Sequence, residues 1–284
     1  MAGFTELAAA DAYCRFLASG HYENFVVASR IVPKTLRADL SRFYAFCRTT
    51  DDLGDESASR EEALARLERW RSETQALFAG GAPVHPVLIA LRQTIERRRL
   101  QAQPFLDLIA ANEQDQRVSA YETWPQLEQY CMLSAAPVGR VVLQFFEIAT
   151  PLAEKLSDDV CIGLQLANHA QDVGRDAKIG RRYLLEEDLR ADGTSGAVRA
   201  MVARARTLLE SGKQLEPMAP GVLRLQLALY RLGGQAICDA IARIGYRTDS
   251  TRPSVSNRTK ALLLLRALIE AMHRGERAER AETA

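Results

Sequence analysis

Apolar residues recur along this chain at intervals of three and four almost from end to end. Leu36, Leu40, Tyr44 and Cys47 form one such run, and Leu64, Leu67 and Trp70 another. That spacing places side chains on one face of an α-helix. Strictly alternating β-branched runs and Asn-Gly hairpin turns are missing from the sequence, so the pattern predicts an all-α fold. Helices are expected near 5–18, 34–54, 59–78, 84–99, 103–115, 123–149, 152–175, 192–212, 218–246 and 255–277. Breaks are expected at Pro33, at Gly80-Gly81-Ala82-Pro83, near Pro151 and across Gly180 to Gly193. Pro104, Pro125 and Pro220 suit the first turn of a following helix. No repeat and no linker-like composition divides the chain, so a single domain is expected over residues 1–284, with about 275–284 fraying.

Composition narrows the class. Hydrophobic residues make up 47% and charged residues 26%, a globular balance rather than a disordered one. The formal net charge of +1 gives no global reason to expect nucleic acid as a partner, so any anionic ligand must be held locally. The start of the chain carries Glu6 and Asp11 and no basic-then-apolar run of the secretory kind, and the apolar stretches are too short to span a bilayer. A cytoplasmic location is expected. Five cysteines without CxxC spacing read as buried, reduced thiols, and four histidines without HExxH spacing argue against zinc.

Candidate chemistry lies in two acidic stripes. At about 100° per residue, Tyr44, Arg48, Asp51 and Asp55 fall within roughly 60° of one another. Asp52 lies beside that stripe, and Phe43 and Phe46 are expected to flank it. Acids oppose the macrodipole at a helix C-terminus; the plain reading is a solvated helix end, the functional one a cation site. In the second stripe Gln165, Asn168, Asp172 and Asp176 step by three, four and four, and so lie within about 80° on one face. Leu164, Leu166 and Ala167 mark an otherwise buried helix, where an unpartnered polar ladder costs several kcal/mol. The competing reading is a buried polar network without a ligand. Oxygen ligands alone select a hard cation, and magnesium fits best. Two such helices with Arg48 beside one of them describe a diphosphate clamp. The stretch from Gly180 to Gly193 is then either a connection or a lid over a site.

These motifs resemble the squalene/phytoene synthase family. The match runs through His21-x-x-Asn24-Phe25, Tyr44-x-x-x-Arg48, Asp51-Asp52-x-x-Asp55, Tyr130, Pro137-Val-Gly139, Gln165-x-x-Asn168-x-x-x-Asp172-x-x-x-Asp176 and Arg182-Tyr183. The resemblance implies an isoprenoid synthase helical bundle whose central cavity holds two C15 chains, with three magnesium ions between the aspartate helices. It implies Asp51, Asp55, Asn168, Asp172 and Asp176 as metal ligands. Arg48, Gln165, Arg182 and the His21-Tyr22-Glu23-Asn24 segment are then expected to contact the diphosphate or its metal-bound water. Tyr44, Tyr130, Tyr183 and Tyr246 are expected around the substrate, Tyr130 among the catalytic groups. His169, one residue off the ladder, is expected to be structural. Pro137 is expected to break one hydrogen bond inside a long helix and free the Leu133 carbonyl. The small residues around it leave room for an isoprenoid chain or for close helix contact.

Within the family, the segment from His21 to Arg30 and the run from Asn168 to Asp176 look like the hydroxysqualene synthases of bacterial hopanoid pathways. That likeness implies conversion of presqualene diphosphate and water to hydroxysqualene and diphosphate, without NADPH. Gln171 stands where condensing members commonly carry arginine, and Tyr22-Glu23-Asn24 where they commonly carry a serine-rich stretch. Asn24, His169 and Gln171 are the polar groups expected to hold a water for capture. The alternatives are a condensing enzyme making presqualene diphosphate, squalene or dehydrosqualene from two farnesyl diphosphates, or making phytoene, and a catalytically silent helical scaffold. An oily substrate, with basic residues at Gly180-Arg181-Arg182 and from Arg252 to Lys260, makes transient peripheral membrane contact an expectation as well.

Overall fold

The computed structural model describes residues 2–19 and 34–282, with twelve α-helices among them and no strand. The chain falls into two compact units, Met1–Arg117 with Val141–Glu147, and Val118–Arg140 with Ile148–Ala284. The first holds α1 (Ala2–Ser19), α2 (Lys34–Asp55), α3 (Arg60–Phe78), α4 (Pro86–Arg98) and α5 (Gln103–Asp115). Its helices begin where local chemistry dictates. Ser59 accepts the Glu62 N–H at the start of α3, and Glu62 reaches back to the Ala58 N–H, satisfying donors the helix cannot. Pro86 opens α4 and left-handed Arg99 closes it. The inner face of α2 is aromatic: Phe46 stacks on Trp70 at 5.4 Å and meets Phe105 edge-on at 5.1 Å. Trp70 donates to Thr50 at 2.9 Å. Phe43 and Phe46 are therefore core residues, 4% and 0% exposed, and do not flank the acidic stripe; at position 46 the helix has turned about 200° from Tyr44. Asp39 is buried but compensated by Thr94 and by ion pairs to Arg97 and Arg98.

The second unit holds α6 (Trp124–Ser134), α8 (Pro151–Gln171), α9 (Val173–Lys178), α10 (Glu186–Leu215), a short 3-10 turn (Glu216–Met218), α11 (Gly221–Arg243) and α12 (Asn257–Glu282); α7 (Ala136–Phe145) contributes residues to both units. Small residues set how closely these helices approach. A Cβ at Gly163 of α8 would lie 3.0 Å from the Leu209 side chain of α10. One at Gly139 would lie 2.3 Å from Ser157 Oγ and 2.7 Å from Cys161 Sγ. The room around Pro137-Val-Gly139 is thus used for helix contact at Gly139. Arg231 on α11 is 2% exposed and pairs with fully buried Glu216 at 2.7 Å and with Glu270 on α12.

Three expected helices differ. The helix expected over 123–149 is two, because the chain turns at Ala135 (φ −110°, ψ −50°). Pro137 consequently sits in the first turn of α7, where its missing N–H is an orphan in any case. It opens a helix rather than kinking one, and the Leu133 carbonyl, without an N–H from Pro137, belongs to the last turn of α6. The helix expected over 152–175 breaks at Asp172 (φ −103°, ψ 15°) into α8 and α9. Finally, α10 starts at Glu186, not near 192, and runs through a kink at Gly193 (φ 65°, ψ −172°). Glu186, Glu187 and Asp188 in its first turn suit the positive helix end; Gly193 hides that start in the sequence. The expected break at Pro33 lies outside the described residues.

Candidate active site

In the first unit, the acidic end of α2 is fixed by amides from α5. Asn112 donates to the Asp51 carboxylate at 3.3 Å, and Gln116 donates to the Gly54 carbonyl at 3.3 Å. A Cβ at Gly54 would stand 3.1 Å from Asn112 Oδ1, so the glycine lets the two helices meet here. Asp51 is exposed to solvent, with the Asn112 amide and the neighbouring Asp52 and Asp55 crowding its carboxylate. Loss of water there pushes its carboxyl up to about 6; the Asn112 hydrogen bond opposes that rise, and neighbouring Asp55 adds to it. Arg48 pairs with Asp52 and reaches Glu56 at 3.7 Å, one helical turn along its own edge. Tyr44 is half-buried, and burial raises its hydroxyl while Arg48 pulls the other way.

In the second unit, the ladder survives the break at Asp172. The Asp172 N–H bonds to the Asn168 carbonyl at 2.9 Å and the Asp176 N–H to the Asp172 carbonyl at 2.8 Å, so the four-residue rise persists. The break is strapped by the segment after α11. The Gly174 N–H donates to the Thr248 carbonyl at 3.3 Å, and Gln171 donates to the Pro253 carbonyl at 2.7 Å. Arg252 pairs with Asp172 and also reaches Gln171 at 3.4 Å. Gln171 is thus a buried tether between segments, which corrects the expectation that it holds water near a leaving group. In the sequence Arg252 stands only in a basic run; its pairing needs the return of the chain across 80 residues.

Beside this ladder stands an aromatic stack. Tyr121 and Tyr130 lie 5.4 Å apart, Tyr130 and Tyr183 5.6 Å, and the His169 imidazole lies flat on Tyr183 at 3.6 Å. Burial pulls His169 down to about 3, against Asp172 and with the help of Arg181, so the ring is neutral. Its Nδ1 stands 3.9 Å from Asp176 Oδ2, and its Nε2 is buried without a hydrogen-bond partner among the described residues. His169, Asp176, Arg181, Arg182, Tyr183 and Ser119 help to line a cavity of about 490 Å³. Gln165 donates to Ser134 on α6 at 2.8 Å, and Asn168 is exposed. Arg182 pairs with Glu186 rather than with a ladder residue, and Tyr246 faces the Arg199 guanidinium at 5.9 Å. His21, Tyr22, Glu23 and Asn24 lie outside the described residues.

Among the described residues, no group of three or more His, Cys, Asp or Glu side chains is poised to hold a metal by itself. The donors present are pairs of carboxylates with neighbouring amides, hard oxygen ligands throughout. Such a set fits magnesium in its usual protein mode, in which one or two carboxylates share the ion with phosphate oxygens and water.

Known proteins resemble the chain over most of its length. The family model described as squalene/phytoene synthase matches residues 18–259. The chain is 31% identical over 258 residues to a hydroxysqualene synthase of Zymomonas mobilis subsp. mobilis, covering 89% of this chain and 84% of that one. It is 31% identical over 294 residues to a phytoene synthase of Arthrospira platensis, covering 92% and 94%. The crystal structure of squalene synthase HpnC from Alicyclobacillus acidocaldarius superposes with a TM-score of 0.80 at 42% identity, over 85% of this chain and 96% of that one.

Proposed function

The chain belongs to the squalene/phytoene synthase family of isoprenoid synthases, and on that premise we propose that it converts presqualene diphosphate and water to hydroxysqualene and diphosphate. The observation that carries the reading lies within the second unit. Asp172, Asp176 and the arginines Arg181 and Arg252 are set beside the stack of Tyr121, Tyr130, Tyr183 and His169. A charge set for a leaving diphosphate thus adjoins π faces suited to a carbocation. The similarity to the Zymomonas hydroxysqualene synthase supports the same choice.

In this reading Arg48, Gln165, Arg182 and the segment from His21 to Asn24 bind and orient the diphosphate. Magnesium, for which the resemblance names Asp51 and Asp55 in the first unit and Asn168, Asp172 and Asp176 in the second, would supply Lewis-acid neutralisation of the leaving group. The C–O bond to diphosphate breaks with its electron pair leaving on oxygen. Tyr130 and Tyr183 offer their faces to the rearranging cation, while Tyr44 and Tyr246 complete the substrate's surroundings. Water then forms the new C–O bond and gives up one proton, so no nicotinamide is consumed.

Head-to-head condensation of two prenyl diphosphates is the second reading, favoured by the likeness to the Arthrospira phytoene synthase across 92% of the chain. A silent scaffold has no observation in its favour, since the acids of both motifs are in place. No helix among the described residues is long and apolar enough to cross a membrane. Peripheral contact is proposed for α12, where Leu262 and Leu265 are 67% and 56% exposed and Arg258 falls on the same arc. The reaction is tested by incubating the purified protein with magnesium and presqualene diphosphate in oxygen-18 water. Release of diphosphate with a labelled C30 alcohol is expected; hydrocarbon alone refutes hydration.

A further inference from the structure

Water capture of a carbocation needs one water held in place where the rest of the surface is dry; without it the cation loses a proton and becomes a hydrocarbon. Of the polar side chains near the second motif, Gln171 is engaged by Pro253 and Arg252. Gln165 directs its amide N–H to Ser134. His169 differs from both. Its ring is pinned flat on Tyr183 and lines the cavity that Asp176 and Arg181 also line. Its Nδ1 faces Asp176 at 3.9 Å, too far for a direct hydrogen bond. Its Nε2 is buried with no partner among the described residues.

A neutral imidazole carries one donor and one acceptor nitrogen. Either nitrogen is a hydrogen-bonding atom, and Nε2 has no partner among the described residues. A buried polar atom left unmade is costly, so this atom gains from any water that reaches it. Water is small enough to do so, and its remaining hydrogen-bonding capacity stays open to the cavity.

From this geometry we infer that His169 is the residue that positions the capturing water, its Nε2 hydrogen-bonded to that water while the aromatic stack of Tyr183 and Tyr130 holds the cation alongside. The inference rests on the hydration reading. In the step itself the water oxygen forms the C–O bond and one of its protons passes to the released diphosphate, so His169 is unchanged at the end.

The test compares wild type, His169→Phe, His169→Leu and His169→Gln, each with magnesium and presqualene diphosphate. The Phe variant keeps the stack on Tyr183, Leu removes ring and hydrogen-bonding nitrogen together, and Gln restores a hydrogen-bonding group. The alcohol-to-hydrocarbon ratio should fall roughly tenfold or more in Phe and Leu, about one hydrogen bond's worth of selectivity. The ratio is read per diphosphate released, so a change in total turnover does not enter it, and Gln should recover part of the alcohol. An unchanged ratio in whichever of Phe and Leu folds overturns the role of His169 while hydration stands. A wild type that makes no alcohol overturns both.

Discussion

Asp51→Asn should stabilise the protein in the absence of metal, although it removes a charge proposed to be essential for turnover. The Asp51 carboxyl is pushed from 3.8 up to about 6 in the folded chain. Holding it ionised at neutral pH therefore costs folding free energy, about 1.4 kcal/mol for each tenfold gain in proton affinity. The carboxylate has an open edge, so water and salt screen part of this, and a gain of about 1–2 kcal/mol is the reasonable expectation for the amide. Asparagine keeps an oxygen for the Asn112 amide, so that contact is preserved. The penalty is full above pH 6, shrinks as pH falls from 6 towards 3.8 and is gone below that range. Urea unfolding in a chelator at about pH 7.5 and about pH 4 reads this directly. The variant should be the more stable at the higher pH, with the difference closing at the lower. A variant less stable than wild type at the higher pH, or a gain that does not depend on pH, refutes the reasoning and makes Asp51 a structural residue.

Other outcomes follow from single contacts. Arg231→Met leaves buried Glu216 without its partner and should cost about 3–5 kcal/mol in urea unfolding, much of it recovered by adding Glu216→Gln. Gly139→Ala drives a methyl into Ser157 and Cys161 and should cost about 1–3 kcal/mol by the same measurement. Asp172→Ala should abolish turnover while the far-ultraviolet circular dichroism stays helical. Arg252→Ala, which strips the guanidinium from Asp172, should weaken the protection against thermal unfolding that a non-hydrolysable prenyl diphosphate gives in magnesium. Equal protection would exclude Arg252 from the site.

Helical periodicity makes the all-α class legible, because a three-four pattern has no other good solution in a chain without alternating β-branched runs. What it does not locate are breaks that depend on tertiary contact. Nothing local marks Ala135 as the end of a helix, and Pro137 reads equally well as a kink or a beginning. Gly193 resembles a terminator, yet the acids from Glu186 to Asp188 start α10 well before it. The two aspartate stripes are legible because spacing alone puts their members on one face. Their partners are not: Asn112 reaches Asp51 from 61 residues away and Arg252 reaches Asp172 from 80. Phe43 and Phe46 show the reverse error, since adjacency in sequence suggests a shared face that helix geometry denies. Gln171 invites a chemical role from its position in the motif, and only its bond to Pro253 reveals a tether.

The central claim is that this chain consumes presqualene diphosphate by hydration. One experiment weighs it most directly: equal concentrations of farnesyl diphosphate and presqualene diphosphate offered separately to the wild-type protein in magnesium without NADPH, with products and initial rates compared. Rapid loss of presqualene diphosphate to a C30 alcohol, with little turnover of farnesyl diphosphate, is the expected result. Efficient consumption of farnesyl diphosphate, with presqualene diphosphate or a C30 hydrocarbon as the product, contradicts it.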